Sequence, residues 1–427
     1  MPRDSESMSE PKDSPVDEQL PRPVPEEGVK AWLCVLGGFF CQFCSFGFLN
    51  ACGVFQLYYK EEILSNYNDS TISWIITIQI FLMFSLGLIV GVMVDVLGPR
   101  KLLLPSTVLA LLGIFMLSLS TKFYQVMLTQ GIVYGLGAAG LFLPPMVCVG
   151  QWFTAHRGLA TGIVTSGSSV GGVIFPIMVH RLIRQVGFPS ALRWIGLLMA
   201  CCLVIANLCV TAPFPPKGRE KKKSAGVAAF KDLAFVLFTA GCFFMLWGLF
   251  GPFNYLPSMA VTRGMSADMG IYLISITNGA SVFGRILPGL VADKVGHLNV
   301  MVFIAYLSGL SILVYWLPVA YNYVGGALIG FAVVYGLASG GFVSLMTPCV
   351  VALCDGKVDE LGPKLGAFMF IIAIAALTGL PILGAISDNS SIGFKGLVAF
   401  AGAVMTFGGV LVMFARIKKG GLRMVKV

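Results

Sequence analysis

Twelve stretches of this chain stay apolar for about 20 residues or more, the length a helix needs to cross roughly 30 Å of hydrocarbon. They fall at about 31–58, 72–94, 102–121, 123–150, 158–180, 190–212, 231–256, 268–292, 298–318, 322–352, 365–387 and 396–415. Inside a bilayer no water is at hand for a bare N–H or C=O, so a single spanning run must be helical. The short alternating segments of a membrane β-barrel are absent. The expectation is an all-α polytopic membrane protein of twelve transmembrane helices, with the lipid bilayer as its solvent.

Charged residues make up 11% of the chain, against about 25% in soluble domains, and no polar segment is long enough to fold as a nucleotide-binding domain. The net charge of +9 is spread over short loops rather than gathered on one surface, which excludes nucleic acid as a partner. The first thirty residues hold six prolines, many acidic groups and no apolar core, which rules out a secretory signal peptide and predicts a disordered tail. Between the sixth and seventh runs lies PFPPKGREKKKSAG (213–226), a basic polar linker. The expected organisation is an acidic tail over 1–30, a six-helix bundle over 31–212, a basic linker over 213–230, a second bundle over 231–415 and a short basic tail over 416–427.

The two bundles read as copies of one another. GVMVDVLGPRK (91–101) returns in weakened form as GLVADKVGHLN (289–299), and VYGLGAAGLFLPPMVCV (133–149) returns as VYGLASGGFVSLMTPCV (334–350). The offsets are 198 and 201 residues, so a small insertion separates two otherwise registered repeats. Six spans per copy make them parallel repeats, the arrangement of transporters whose site lies between two bundles. If both termini are cytosolic, 21 Lys and Arg face the cytosol, seven face outside and Arg285 lies within a span. That bias sets the expected orientation, with the plasma membrane as the default location and a vacuolar membrane as the alternative. The sequons at Asn68 and Asn389 then fall in outside loops, where glycosylation is expected.

No catalytic constellation is present. There are three His residues, no metal-ligand spacing and no phosphate-cradling loop, so neither an enzyme activity nor a cofactor is expected. Cys41 and Cys44 in CQFC share a helix face but have no His or second Cys pair near them, and read as small packing residues. Basic residues at Lys221, Lys222, Lys223, Arg416, Lys418 and Lys419 serve orientation, with anionic lipid head groups as a further use. With no ATP site, the driving energy must come from an ion or substrate gradient, and protons are the candidate coupling ion.

In GVMVDVLGPRK, Gly91 lets helices approach, Asp95 ends the span and Gly98-Pro99 forces a turn. Arg100 and Lys101 then sit at the surface, in reach of Asp95 or of a neighbouring helix end. This Gly-x-x-x-Asp-x-x-Gly-x-Arg stretch resembles the signature of the major facilitator superfamily. The resemblance implies that fold, with Gly91, Asp95, Gly98, Arg100 and Lys101 gating the cytosolic side during alternating access. The second copy keeps Gly289, Asp293 and Gly296 but has His297 and Asn299 where basic residues are usual, so its gate is expected to be weaker. EEGVKAWLCVLGGFF (26–40) and QWFTAHRGLATGIVTSGSSVGG (151–172) resemble the monocarboxylate-porter branch, the second bringing Arg157 to the same face as a further gate residue. FGFLNACGVFQLYY (46–59) and GRILPGLVADKVGHLNV (284–300) are similar to fungal members of that branch.

Arg285 stands eight residues before Asp293, about 12 Å into the span at 1.5 Å per residue. A charge at that depth costs at least ~2.5 kcal/mol unless it faces a partner or a watery cavity. Its helical neighbours Asn278, Ser281, Gly289 and Ala292 are polar or small, so Arg285 points into the bundle. No Asp or Glu lies deep in any span. Two readings stay open: an anionic substrate supplies the missing counter-ion, or backbone carbonyls and amides hold the guanidinium for packing. Porters of the branch pair this arginine with an aspartate four residues earlier and a first-span lysine; here those positions hold Ser281 and Asn50. The departure tells against lactate-type proton symport. Gln42, Gln79, Gln130, Asn254 and Tyr255 are the remaining deep polar side chains; each lines the path or bridges helices.

The expected function is secondary transport of a small organic metabolite, an organic anion or carboxylate, leaning to efflux. Asn50, Asn254, Asn278 and Ser281 join Arg285 as expected substrate-binding residues. Uptake of a monocarboxylate or vitamin is the alternative, and a non-transporting receptor on the same fold is the rival from another class. The twelve residues after the last span are too short to be a signalling domain.

Overall fold

The computed structural model describes residues 28–67, 69–215, 229–322, 325–354, 361–389 and 393–421. The expectations for the acidic tail, for Lys221, Lys222 and Lys223 and for Asn68 fall outside these residues, and at Asn389 only the backbone is described. Among the described residues twelve helices have the length and apolar character of membrane spans: α1 Val29–Gly47, α2 Thr71–Leu97, α3 Pro99–Leu117, α4 Phe123–Trp152, α5 Arg157–Val186, α6 Phe188–Cys209, α7 Leu233–Thr262, α8 Asp268–Val295, α9 His297–Tyr321, α10 Gly325–Ala352, α11 Leu361–Ser387 and α12 Phe394–Gly420. No strand occurs among the described residues.

The turns that separate α2 from α3 and α8 from α9 are single glycines. Gly98 has φ +82° and Gly296 φ +109°, the left-handed region that strains any residue with a Cβ. Pro99 then occupies the first turn of α3, where a missing N–H costs nothing. The repeated glycine of the two signature copies is thus a backbone requirement, met in the same way twice. The end of the molecule carrying these turns is called here the signature face.

Near the signature face α2 crosses α11 and α5 crosses α8 with backbones touching. A Cβ placed on Gly91 would lie 2.3 Å from the carbonyl oxygen of Gly362, and one on Gly158 would lie 2.4 Å from that of Gly289. One turn further in, Gly366 meets the Gly87 carbonyl at 2.3 Å and Gly162 meets the Arg285 carbonyl at 2.4 Å. In lipid there is no hydrophobic drive between helices, so such close approach, with its dispersion contacts, is what holds them together. The other side of α5 does the same to α1, where Gly167 faces the Phe39 carbonyl and Gly171 faces Gly47.

Two fully buried tyrosines tie α4 to α1 and α10 to α7. Tyr134 on α4 donates its hydroxyl to the carbonyl of Cys44, within the wide π-helical turn Phe43–Gly47. Tyr335 on α10, its counterpart at the 201-residue offset, donates to the carbonyl of Leu249 at 2.7 Å. Tyr335→Phe should lower the melting temperature of the purified protein by a few degrees, since an unmade buried hydrogen bond costs about 1–3 kcal/mol. An unchanged melting curve would mean that the packing of α10 on α7 does not need the bond. Gly289→Val should destabilise by about 1–3 kcal/mol through overpacking, read in the same assay.

Candidate functional site

At the signature face the two carboxylates of the repeated motif each rest on the start of a helix from the other half of the chain. Asp293 accepts from the N–H of Gly158 at 2.6 Å and of Leu159 at 2.9 Å, the first turn of α5. His297, one turn along from Asp293, sends its Nε2 to within 3.2 Å of the same carboxylate. Asp95 takes the equivalent place on α11, where a Cβ on Gly362 would meet its Oδ2 at 2.9 Å. An anion at a helix N-terminus is stabilised by the unpaired N–H groups and the dipole there. The second copy, poorer in basic residues, therefore makes its cross-half contact through backbone donors. Arg157 turns its Nε back to the Phe153 carbonyl, 2.9 Å away, and so closes the start of its own helix. Arg100 and Lys101 form no ion pair with Asp95 and cap no helix end among the described residues.

Arg285 lies deeper, in the crossing of α8 with α5, and is 3% exposed. Its Nη1 donates to the Thr165 carbonyl at 2.6 Å and to the Ser168 hydroxyl, and its Nε donates to Ser281 Oγ at 3.2 Å. Ser169 donates to Ser281 in turn, at 3.1 Å. No ion pair of Arg285 and no acceptor for its Nη2 occurs among the described residues. The charge is thus partly solvated by α5 and keeps one end of the guanidinium uncommitted. Its counterpart in the first half, 198 residues earlier, is Gly87. The repeat is broken at this point by a charge.

Above Arg285, Ser281, Asn278 and Ile274 follow on the same helix face at intervals of three to four residues. Asn278 and Ser281 are each 1% exposed, and Gly172 of α5 is the residue that leaves room for the Asn278 amide. Asn50, at the break after α1, donates to the Ser168 carbonyl at 3.3 Å and comes to the same glycine. Ile274 and Asn50 then open onto a cleft between the two halves. Leu49 and Gly53 from the α1 side, Ile76 and Ile80 from α2, Phe250, Phe253 and Asn254 from α7 and Leu380 from α11 complete its wall. The cleft holds about 40 Å³, room for a few waters at roughly 10–15 Å³ each and for no organic molecule. The halves must part at this level before anything larger can enter.

Of the residues singled out from sequence, the fold therefore joins Arg285, Ser281, Asn278 and Asn50 around α5, with Asn254 on the far wall of the cleft. Gln42 and Gln130 do not join them: Gln42 donates to the Phe142 carbonyl at 3.0 Å and Gln130 accepts from Tyr59 at 2.5 Å, both within the first six spans. Gln79 is fully buried and Tyr255 lies beside Gly384 of α11. Sequence reasoning did not foresee Thr165 and Ser168 as the groups that solvate Arg285. Nor did it foresee the apolar cleft wall, since an isoleucine facing a cleft and one facing lipid look alike in a hydrophobic run.

A Major Facilitator Superfamily profile matches residues 38–358. The chain belongs to the Major Facilitator Superfamily. This facilitator is 49% identical to the MFS-type transporter hasB of Aspergillus fumigatus over 95% of its own length and 93% of that protein. It is 40% identical to the fujikurins efflux protein of Gibberella fujikuroi, over 94% and 86%, and 38% identical to the aspyridones efflux protein apdF of Emericella nidulans, over 96% and 82%. Its fold is that of the human organic anion transporter MFSD10 (TM-score 0.72, 14% identity, 91% and 99% of the two chains). FucP in its outward conformation gives a TM-score of 0.69 at 12% identity, over 90% and 98%. It is a transporter and not an enzyme, and its partners are the bilayer and a small-molecule substrate.

Asp293→Ala should loosen the signature face by removing two charge-assisted bonds, at about 1.5–3 kcal/mol each. Modification by a maleimide of a cysteine introduced at Leu159 should quicken by about tenfold or more in the Asp293→Ala background. Equal rates in both backgrounds would mean that the carboxylate does not hold the face shut.

Proposed function

We propose that this protein exports an organic anion, a metabolite bearing a carboxylate on an apolar body, and that Arg285 is the group that reads the charge. The observation that carries the reading is a buried guanidinium with no carboxylate partner among the described residues, beneath an apolar cleft with Asn50 and Asn254 in its wall. A carboxylate seated beside Asn278 would find the free donor of Arg285 and give the charge the counter-ion its own helices lack. Efflux is supported by relatives of 40%, 40% and 38% identity named as efflux proteins for fujikurins, agnestins and aspyridones. The bundles over 31–212 and 231–415 are assigned to rock about the cleft. Both termini and the signature face are assigned to the cytosol of a plasma-membrane protein on the Lys and Arg bias. Gly91, Asp95, Gly98, Arg100, Lys101, Asp293 and Arg157 are assigned to the cytosolic gate. The proton is the coupling ion we assign.

Metabolite profiles of host cells and medium test the reading, compared without the protein, with it, and with Arg285→Gln or Arg285→Lys. A carboxylate-bearing compound should accumulate outside with the wild type only. Both variants should lose about tenfold or more in export, the lysine because an ammonium lacks the two-pronged geometry. Accumulation of an acid inside the cells would turn the direction around. Export by Arg285→Gln at the wild-type rate would return the arginine to packing.

A further inference from the structure

A second cavity, larger than the central cleft, is present as well. It lies at the signature face, within the first six spans, and holds about 380 Å³. The ends of α2 and α4, the start of α3 and the segment that follows α6 surround it, so it sits where spans give way to the head-group layer. Val94, Leu97, Pro213 and Phe214 make apolar walls, with Phe214 itself 39% exposed. Two cations, Arg100 and Lys101, stand at its edge, and neither has a hydrogen bond or ion pair among the described residues. Both belong to the first turn of α3, a helix of 19 residues whose start has no side-chain cap and no acidic residue. Thr211 lines the cavity too, and its hydroxyl oxygen is buried without a partner. The acidic group in the lining, Asp95, is turned toward α11.

We infer that this cavity seats the phosphate of an anionic membrane phospholipid. The phosphate meets Arg100, Lys101 and the free N–H groups at the start of α3, and the glycerol backbone lies on Leu97 and Phe214. Each feature asks for a part of such a ligand. Paired cations at an uncapped helix start are an anion site. Apolar walls at head-group depth favour an amphiphile over a free ion, which would lose hydration against them without return. A lipid held there braces the turn at Gly98, three residues from the Asp95 that rests on α11, and so favours the closed signature face. Anionic lipid thereby becomes a regulator of access from that side.

Native mass spectrometry of the full chain in phosphatidylcholine nanodiscs, with phosphatidylglycerol as the added probe, tests the assignment. The wild type should retain one phosphatidylglycerol per chain. The pair Arg100→Gln/Lys101→Gln should bind it about 30-fold more weakly, each surface charge being worth roughly fivefold. Arg100→Lys/Lys101→Arg should keep most of the affinity. The Gln pair should melt like the wild type in phosphatidylcholine alone, because neither side chain has a partner to lose; if it melts lower, the single variants should each lose about fivefold. Equal retention by the wild type and the Gln variants would overturn the site. Displacement of the lipid by millimolar inorganic phosphate would overturn the lipid as its occupant and leave a site for soluble anions. No retention by the wild type would overturn both.

Discussion

The contact between the two halves depends on backbone touching backbone where α2 meets α11 and α5 meets α8. Glycine at Gly91, Gly158, Gly289 and Gly362 removes the side chains that would otherwise stand between the helices. Close approach is the only strong attraction available where both faces of a helix are surrounded by apolar groups. Once the axes are that close, the carboxylates of Asp95 and Asp293 reach the starts of α11 and α5 without further adjustment. The contact between the halves at the signature face is then a consequence of the crossings. A charged residue and a helix start are brought together because four glycines let them be.

Arg285 occupies a crossing of the same kind. Its carbonyl touches Gly162 as the carbonyl of Gly87 touches Gly366, so its backbone obeys the repeat while its side chain breaks it. The guanidinium is held on α5 by Thr165 and Ser168 and on α8 by Ser281. A group that bonds both helices of a crossing feels any motion of one against the other. An anion that competes for those N–H donors would therefore bear on the crossing itself, linking occupancy to the movement that opens the cleft. The tyrosines at 134 and 335 act at one remove, by tying α4 to α1 and α10 to α7.

Much of this was legible in the sequence. The apolar runs announced twelve spans, and the signature with its echo announced both the family and the turns at Gly98 and Gly296. The face of α8 that turns inward could be read from Asn278, Ser281 and Gly289 around Arg285. Helical periodicity decides that within one element, with no knowledge of what lies opposite. What lies opposite was not legible. Asn50 and Asn254 were named with no sign that they lie at one cleft, and Gln42 and Gln130 carried the same signal yet bridge helices within one half.

By itself, then, the sequence determined how many times the chain crosses the membrane, where it turns and that one uncompensated charge lies within a span. Length, hydropathy and glycine spacing are local properties, and each is enforced by the cost of bare polar groups in hydrocarbon. Tertiary structure decided which surfaces of these helices meet. It placed Ser168 under Arg285, set the cleft between α1, α2, α7, α8 and α11, and left Arg100 and Lys101 at the edge of a cavity rather than on Asp95. Those outcomes depend on distances between residues a hundred or more positions apart, and only the packed bundle sets them.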